Sequence, residues 1–257
     1  MKSVSAASAP HARSASGYRI RTRNAARSWN GFRHAPEAVS ISAPVVQSAH
    51  QPGVAQHSRE ALEALLSAGL YSLDTPLSDL PVGGYRPDSE ARPRAAAVLV
   101  GVTSDAEPAV VLTLRSGQME HHAGQVSFPG GGRDEPGESV VETALREARE
   151  EAGIPERSVR PLGYLGRYDT ITGYRMTAVV ASLDSNTVFH PDHNEVESVF
   201  TVPLAHVADP ARFRRDNVRY AGRRFEIVTF EHASHHIWGA TAALLEDFGA
   251  RVRSAGA

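Results

Sequence analysis

Three glutamates near the middle of the chain are spaced to hold a metal ion. Glu147, Glu150 and Glu151 follow a turn rich in glycine and proline, in the segment GRDEPGESVVETALREAREEAGI at 132–154. Residues three or four positions apart share one face of a helix, and like charges there destabilise it unless a cation lies among them. Mg²⁺ prefers oxygen ligands and commonly joins a few carboxylates to substrate phosphates. The pattern predicts a metal-dependent enzyme that acts on a phosphorylated small molecule.

The alternative interpretation is an ordinary solvated helix face, which is what most runs of charged residues become. The same helix has an apolar stripe suited to packing on a sheet, formed by Val141, Ala144, Leu145, Ala148 and Ala152. Arg146 can pair with Glu142 or Glu150 at four-residue spacing and orient a carboxylate. The glutamates alone leave both interpretations open.

Short apolar runs separated by turn residues predict the elements that position this helix. Strands are predicted at 95–102, 109–115, 125–128, 159–168, 175–183, 196–202 and 225–230. Helices are predicted at 58–68 with Ser58 as N-cap, at 139–152, and at 239–248. The run from Pro129 to Gly132 should break the third strand, and 116–123 should form a loop over the site. The order of elements indicates an α/β fold.

The 257 residues divide by composition into three parts. Residues 1–57 are rich in Arg, Ser and Ala, with no acidic residue before Glu37, and we expect this segment to be disordered. An organellar transit peptide has a similar composition. Residues 58–93 are expected to form a short helix and a Pro/Gly-containing linker. The catalytic domain is predicted at 94–250.

Charge and cysteine usage exclude several classes of protein and site. The net charge of −2 provides no overall attraction to nucleic acid or to an anionic membrane, and no apolar run is long enough to span one. The absence of cysteine excludes disulfides, thiolate zinc sites and a cysteine nucleophile. We expect a cytoplasmic protein with a small-molecule substrate and no nucleic-acid or membrane partner, either monomeric or a homodimer.

The spacing around the three glutamates resembles the Nudix box. The matching residues are Gly132, Glu138, Arg146, Glu147, Glu150, Glu151 and Gly153. Ala148 departs from the family, which usually has a larger aliphatic residue there. The resemblance implies a Nudix-type α/β/α sandwich with a mixed sheet, in which the box forms a loop–helix–loop catalytic motif. Members of the Nudix hydrolase family cleave a nucleoside diphosphate that is linked to a further group, and they do so by attack of water on a phosphorus atom.

The same resemblance implies a role for each matched residue. Glu147 and Glu151 match the principal metal-ligand positions, and Glu150 matches a frequent additional ligand. Glu138 and Arg146 match supporting positions that hold the loop and orient the carboxylates. The implied cofactor is Mg²⁺ or Mn²⁺, which would neutralise the diphosphate and lower the pKa of the attacking water.

The residues before the box resemble the signature of coenzyme A pyrophosphatases within this family. The signature positions that match are Thr113, Arg115, Ser116, Gly124, Phe128, Pro129, Gly130 and Gly131. The resemblance extends over about 94–248 and implies coenzyme A as substrate, with 3′,5′-ADP and a 4′-phosphopantetheine species as products. Glu120 departs from the signature, which has an arginine there. It therefore leaves ADP-ribose, dinucleotides or nucleotide sugars as alternative substrates, and a non-catalytic nucleotide-binding module as a further alternative.

Four residues are candidates for substrate binding, and Glu195 is a further candidate for catalysis. Arg115 is either a phosphate clamp or an ordinary surface-strand residue. His122 matches a histidine of the family, and it either makes a loop hydrogen bond or acts directly in the reaction as a substrate-binding residue. Gly131 and Gly132 are expected to border the substrate. Glu195 is either a metal ligand or general base from outside the box, or an exposed loop glutamate.

Overall fold

Runs of three to five strands are separated by single helices in the computed structural model. It describes residues 52–85, 92–118, 122–133, 137–220 and 222–256, with only the backbone described for 52–58. The helices are α1 Pro52–Ser67, α2 Val140–Ala152, α3 Leu204–Val207 and α4 Gly239–Ala255. The strands are β1 Val82–Gly84, β2 Arg94–Thr103, β3 Ala109–Arg115, β4 Val126–Ser127, β5 Gly130–Gly132, β6 Val159–Asp169, β7 Tyr174–Leu183, β8 Val196–Pro203, β9 Phe213–Tyr220, β10 Arg223–His232 and β11 His235–Trp238.

Within the described ranges, eight strands form one mixed sheet in the order β1-β6-β7-β2-β3-β4, with β5 beside β2 and β8 beside β3. β2 runs parallel to β7 along its whole length but pairs with β3 only at Val102 and Val110. The other half of that edge of β2 pairs with β5 instead. β2 and β3 therefore diverge, and the gap between them holds the glycine strand that leads into the box. The strands β11, β10 and β9 form a second, antiparallel sheet.

Alternate residues of β2 face two separate cores. Ala97 and Leu99 pack with the small apolar stripe of α2, whereas Val98 and Val100 pack with buried side chains of α1 and α4. This alternation is the period of two that a strand buried on both faces requires. The arrangement confirms the predicted α/β/α sandwich with a mixed sheet.

The central helix α2 begins and ends where the sequence predicts. Ser139 forms a capping box with Glu142, because its hydroxyl accepts the Glu142 N–H at 3.2 Å and its own N–H donates to the Glu142 carboxylate at 2.7 Å. Gly153 ends the helix in the left-handed conformation at φ 65°. The apolar stripe faces the sheet, with Ala144, Ala148 and Ala152 fully buried.

The start of the first helix differs from the prediction. α1 begins at Pro52, so Ser58 lies within the helix and is not its N-cap. Residues 52–57 are helical, not disordered as predicted, and residues 1–51 lie outside the described part of the chain. The segment predicted as a linker contains β1, which pairs with β6 in parallel. Leu62 and Leu66 of α1 are buried in the core that α4 also lines. The domain boundaries themselves stay predictions.

Other differences between the predicted and the observed elements arise where a segment is a strand because it pairs with another strand, and not because of its own sequence pattern. The glycines predicted to break a strand form β5, because residues without Cβ can approach β2 closely. The strands β9 and β11 have no apolar alternation, and neither is predicted. α4 continues to Ala255, seven residues beyond the predicted end. Among the described helices, none is both long and apolar enough to cross a membrane.

Candidate active site

The predicted metal ligands meet the signature residues where β2 and β3 diverge. The helix α2 supplies Glu147, Glu150 and Glu151, and β5 packs against this helix with its three glycines. Arg115 comes from the end of β3, and Glu195 directly precedes β8, which pairs with β3. The fold thus brings together residues that are up to 80 positions apart in the sequence.

Glu151 is the most deeply buried of the box carboxylates, with 3% of its side chain exposed. One oxygen accepts the Gly130 N–H at 3.0 Å, and the other accepts a hydrogen bond from Arg115 Nη1 at 3.0 Å. Burial, together with the charges of Glu147 and Glu195, raises the pKa of Glu151 to about 7, against the lowering effect of Gly130 and Arg115. Glu151 is therefore a carboxylate that ionises at a free-energy cost unless a cation compensates for it.

Unfolding of the metal-free protein should reveal this raised pKa as a loss of stability with rising pH. The folded protein holds the Glu151 proton up to a pKa of about 7, whereas the unfolded chain releases it near 4.5. Between these values the folded state binds more protons, so the free energy of unfolding decreases as pH increases. We expect Glu151 to contribute a loss of about 2 kcal/mol between about pH 5.5 and about pH 8, measured by urea unfolding with EDTA present.

The matched control for this pH dependence is Glu151→Gln, in which the titrating group is absent. Burial lowers the pKa values of His232 and His235, which makes stability rise with pH and opposes the effect of Glu151. Both histidines are present in the wild type and in the variant, so the difference between the two stability profiles isolates Glu151. Parallel profiles would contradict the raised pKa.

Gly131 provides the space that the Glu147 carboxylate occupies. A Cβ at Gly131 would lie 2.5–2.6 Å from the carboxylate atoms of Glu147, well inside van der Waals contact. The Glu147 side chain is 12% exposed. The absence of a side chain on β5 therefore permits Glu147 to rest against the backbone of the loop.

Arg146 connects the loop before α2 to the helix. Its Nε donates to Glu138 at 2.8 Å, and its Nη1 donates to Glu147 at 2.9 Å and to Glu150 at 3.0 Å. Its Nη2 donates to the Gly132 carbonyl at 3.1 Å. The Glu138 carboxylate is the main reason that the pKa of Arg146 is raised. One guanidinium thus holds the loop and two carboxylates of the helix in fixed relation.

Glu150 lies at the rim of the site, unlike its two neighbours. Half of its side chain is exposed, and it pairs with Arg146 and, at 3.4 Å, with Arg149. Within the part of the chain that the structure describes, no three His, Cys, Asp or Glu side chains converge as a metal cluster. Arg146 lies between Glu147 and Glu150, and Arg115 lies against Glu151. The helix spacing therefore does not by itself assemble three ligands around one point.

The donors that are present nevertheless fit a hard divalent cation. Glu147 and Glu151 contribute only oxygen, and Glu151 is a buried carboxylate whose ionisation a cation would favour. Mg²⁺ is usually held by one or two carboxylates, with water and substrate phosphates completing its octahedron. Two box carboxylates are enough for such a site.

The candidates outside the box differ in their surroundings. The Glu195 carbonyl accepts the Ser116 N–H at 2.8 Å, and its charge contributes to the raised pKa of Glu151. His122 is exposed at φ 60°, and its Nδ1 lies 2.9 Å from Oε1 of Gln125, a hydrogen bond within the loop. Glu120, where the signature has arginine, lies outside the described residues. Arg115 points to Glu151 and is 19% exposed, which is less than an ordinary surface-strand residue.

Sequence reasoning identified Gly130 only as a signature position and missed that its backbone N–H holds Glu151. A Cβ at this position would lie 2.4 Å from the Ala97 carbonyl oxygen and 2.7 Å from Val98 Cα. Three consecutive glycines were a signal of close backbone approach, although nothing in the sequence indicated which carboxylate their amides would meet.

Comparisons with known proteins find a matching family model and several relatives. The family model described as the NUDIX domain matches residues 92–221. A Pectobacterium atrosepticum protein named uncharacterized Nudix hydrolase NudL is 36% identical over 159 residues, which are 62% of this chain and 83% of that protein. The Yersinia enterocolitica protein of the same name is 37% identical over 157 residues, covering 61% of this chain and 80% of the relative.

Two solved structures illustrate similarity over less than half of the chain. An Ap4A hydrolase from C. elegans, in a binary complex, matches with a TM-score of 0.38 and 20% identity, over 43% of this chain and 80% of that one. RenU, a Nudix hydrolase from M. smegmatis, matches with a TM-score of 0.37 and 26% identity, over 46% of this chain and 75% of that one.

Proposed function

The chain belongs to the Nudix hydrolase family, and we propose that it cleaves the diphosphate of coenzyme A or of its derivatives. Family membership makes it a hydrolase of pyrophosphate bonds. The products of the proposed reaction are 3′,5′-ADP and a 4′-phosphopantetheine species. Nudix hydrolases generally use divalent metal ions, and we assign Mg²⁺ or Mn²⁺ to the carboxylates of α2.

The observation that carries the substrate proposal is the position of the coenzyme A signature. Arg115 pairs with Glu151, Gly130 donates its N–H to the same carboxylate, and Gly131 accommodates Glu147. Phe128 of the signature is 3% exposed and packs in the core beneath them. The signature thus borders the proposed metal ligands directly, which supports its use in recognising the group attached to the diphosphate.

The metal would be held by Glu147 and Glu151, with Glu150 as a ligand from the rim, and it would neutralise the diphosphate and activate water. Glu195 accepts the proton of the attacking water, as its proximity to Glu151 allows. Arg146 and Glu138 orient the carboxylates through the hydrogen bonds described above. The bond that forms joins water oxygen to phosphorus, and the bond that breaks joins that phosphorus to the bridging oxygen.

Four residues bind the substrate in this proposal. Arg115 donates to a phosphate oxygen, for which its planar guanidinium is well suited. Gly131 and Gly132 allow the diphosphate to approach the loop backbone closely, since neither carries a side chain. His122, at the exposed turn of the loop before β4, contacts the group beyond the diphosphate.

A second candidate function is hydrolysis of ADP-ribose, a dinucleotide or a nucleotide sugar, and Glu120 favours it. A carboxylate in place of the arginine of the signature would repel a phosphate of coenzyme A. A non-catalytic module is disfavoured, because all the box carboxylates are present. A cytoplasmic location, the lack of nucleic-acid and membrane partners, and the choice between monomer and homodimer stay predictions from the sequence.

Coenzyme A should be the best substrate when coenzyme A, ADP-ribose and NADH are assayed side by side with Mg²⁺ or Mn²⁺. Chromatography with mass detection should identify 3′,5′-ADP and 4′-phosphopantetheine. If ADP-ribose or NADH is cleaved with the higher kcat/KM, the substrate assignment is wrong and the second candidate replaces it. If none of the three is cleaved, hydrolysis of these diphosphates is excluded.

Restoring the signature arginine provides a sharper test of the same assignment. We expect Glu120→Arg to raise kcat/KM for coenzyme A about tenfold, because one charge-assisted contact of about 1.4 kcal/mol replaces a repulsion. Glu107→Arg is the matched control, since Glu107 is an exposed residue in the turn between β2 and β3, at the opposite end of β3 from Arg115. An equal gain in both variants would indicate a general charge effect.

A further inference from the structure

The loop from Asp184 to Glu195 closes the carboxyl end of the catalytic helix. The last carbonyls of a helix have no partner within it. Here the His190 N–H donates to the Ala152 carbonyl at 2.9 Å, and the Asp192 N–H donates to the Glu151 carbonyl at 3.1 Å. A Cβ on Gly153 would lie 2.4 Å from the His190 carbonyl oxygen, so the loop can come this close only past a glycine. The loop is thereby bound to the backbone of Glu151 itself.

Asp192 also organises the four residues that follow it. Its Oδ1 accepts the Asn194 backbone N–H at 3.0 Å and the Asn194 side-chain N–H at 2.8 Å. Its carbonyl accepts the Glu195 N–H at 3.0 Å and the Val196 N–H at 2.8 Å. A side-chain oxygen that bonds two residues ahead is the usual means by which aspartate fixes a turn. One residue therefore makes five hydrogen bonds that join Glu151 to the start of β8.

On its other side, Glu195 is attached to the end of β3. Its carbonyl accepts the Ser116 N–H at 2.8 Å, next to Arg115. The register between β3 and β8 shifts here, because Leu114 pairs with Ser198 whereas Arg115 pairs with Val196. Such a bulge changes the direction in which nearby side chains point. Glu195 thus follows the turn and precedes an irregular strand, and its direction depends on how firmly the turn is held.

We propose that Asp192 is a positioning residue that holds the Glu195 carboxylate beside Glu151 during hydrolysis. The proposal rests on the proposed function, in which Glu195 acts on the attacking water. Asp192 acts through Glu195 and touches neither substrate nor metal. Because its backbone is bonded to Glu151 and its carbonyl to the Glu195 N–H, Asp192 gives the two carboxylates a common support. The Oδ1 acceptor keeps that support in one conformation.

Removing the Oδ1 acceptor should cost catalysis more than stability. One hydrogen bond of this kind contributes modestly to folding, whereas a base displaced by about 1 Å can slow a reaction far more. We expect Asp192→Ala to lower kcat for the preferred diphosphate substrate about tenfold with KM within about twofold of the wild type. Asp192→Asn keeps an Oδ1 acceptor and should restore most of that loss.

Asp209→Ala is the matched control. Asp209 is a surface aspartate like Asp192, and its Oδ1 accepts the Ala211 N–H at 3.0 Å in the same kind of turn. It caps the turn Pro210–Arg212, which follows α3 and packs against α4, and it lies 13 residues beyond the start of β8. We expect its loss to lower stability as much as Asp192→Ala does and to leave kcat unchanged. Equal kcat losses in both variants would overturn the proposal.

A double-mutant cycle between Asp192 and Glu195 distinguishes a positioning role of Asp192 from a general structural defect. If Asp192 acts through Glu195, the double variant Asp192→Ala, Glu195→Gln should have the kcat of Glu195→Gln alone. Multiplicative losses, or an Asp192→Asn variant as slow as Asp192→Ala, would overturn the proposal. The cycle is measured on whichever diphosphate the wild type prefers, so a different substrate does not affect it.

Hydrogen exchange measures the turn independently of activity. Peptides covering 190–198 should exchange faster in Asp192→Ala than in the wild type, and at the wild-type rate in Asp209→Ala. If the wild type cleaves no diphosphate, the proposed function is refuted. Hydrogen exchange over 190–198 then still tests whether Asp192 holds the turn before Glu195. Unchanged exchange over 190–198 in Asp192→Ala would overturn the proposal whatever the activity.

Discussion

Replacing Glu151 by glutamine should lower kcat for the diphosphate substrate by at least about 10³-fold, which corresponds to about 4 kcal/mol of transition-state stabilisation. Glutamine keeps the size of the side chain and an oxygen that can accept the Gly130 N–H. It cannot supply the negative charge that holds a divalent cation against the diphosphate. The measurement is kcat under saturating Mg²⁺ or Mn²⁺, together with metal affinity in the absence of substrate.

The same substitution should stabilise the metal-free protein at high pH, which makes the two effects opposite in sign. Above its pKa of about 7, ionised Glu151 is buried without full compensation, and glutamine removes this cost. Glu156→Gln is the matched control, because Glu156 is exposed in the short turn after α2. We expect the control to change neither kcat nor the pH dependence of unfolding. Wild-type activity in Glu151→Gln would refute the assigned metal role.

Gly131→Ala should reduce kcat about 10²-fold while leaving the fold nearly as stable as the wild type. The new Cβ would lie 2.5–2.6 Å from the carboxylate of Glu147. That carboxylate is the end of a flexible side chain, so it can move away at little cost in folding free energy. Its displacement removes one proposed metal ligand from its place. Steady-state kinetics and urea unfolding of the same preparation measure both effects.

Gly130→Ala is the neighbouring variant with the opposite expectation for stability. Its Cβ would meet the Ala97 carbonyl oxygen at 2.4 Å and Val98 Cα at 2.7 Å, which are backbone atoms of a central strand. These atoms cannot move without disturbing the sheet, so we expect a loss of about 3 kcal/mol in the free energy of unfolding. If Gly131→Ala proves equally destabilising and retains full kcat, the space for Glu147 does not have the role assigned to it.

The sequence predicted secondary structure best where several local signals indicate the same helix or strand. The helix α2 has a capping box at Ser139, an apolar stripe, and a glycine immediately after its last residue, and each signal acts within one or two turns. The central strands β2, β3 and β7 are continuous apolar runs, and the structure places them near their predicted bounds. The α/β/α class followed from these elements and from the resemblance to the family.

The elements that sequence reasoning missed depend on a partner strand. β5 consists of three glycines, and only its pairing with β2 makes it a strand. Half of the residues of β9 are charged and most are exposed, and the strand forms a ladder with β10 over eight residue pairs. β1 is three residues long and is held by β6. Backbone hydrogen bonds between distant segments leave no periodicity in the residues that make them.

For the site, the sequence alone determined the residue types, their spacing and the chemistry that they allow. The spacing of Glu147, Glu150 and Glu151 determines which helix face they occupy, because helix geometry is local. Only the tertiary structure decided that Glu151 is buried, that Glu150 lies at the rim, and that Arg115 and Glu195 reach the same place. Burial and long-range pairing depend on what packs against the helix, and they determine how much it costs to ionise each carboxylate.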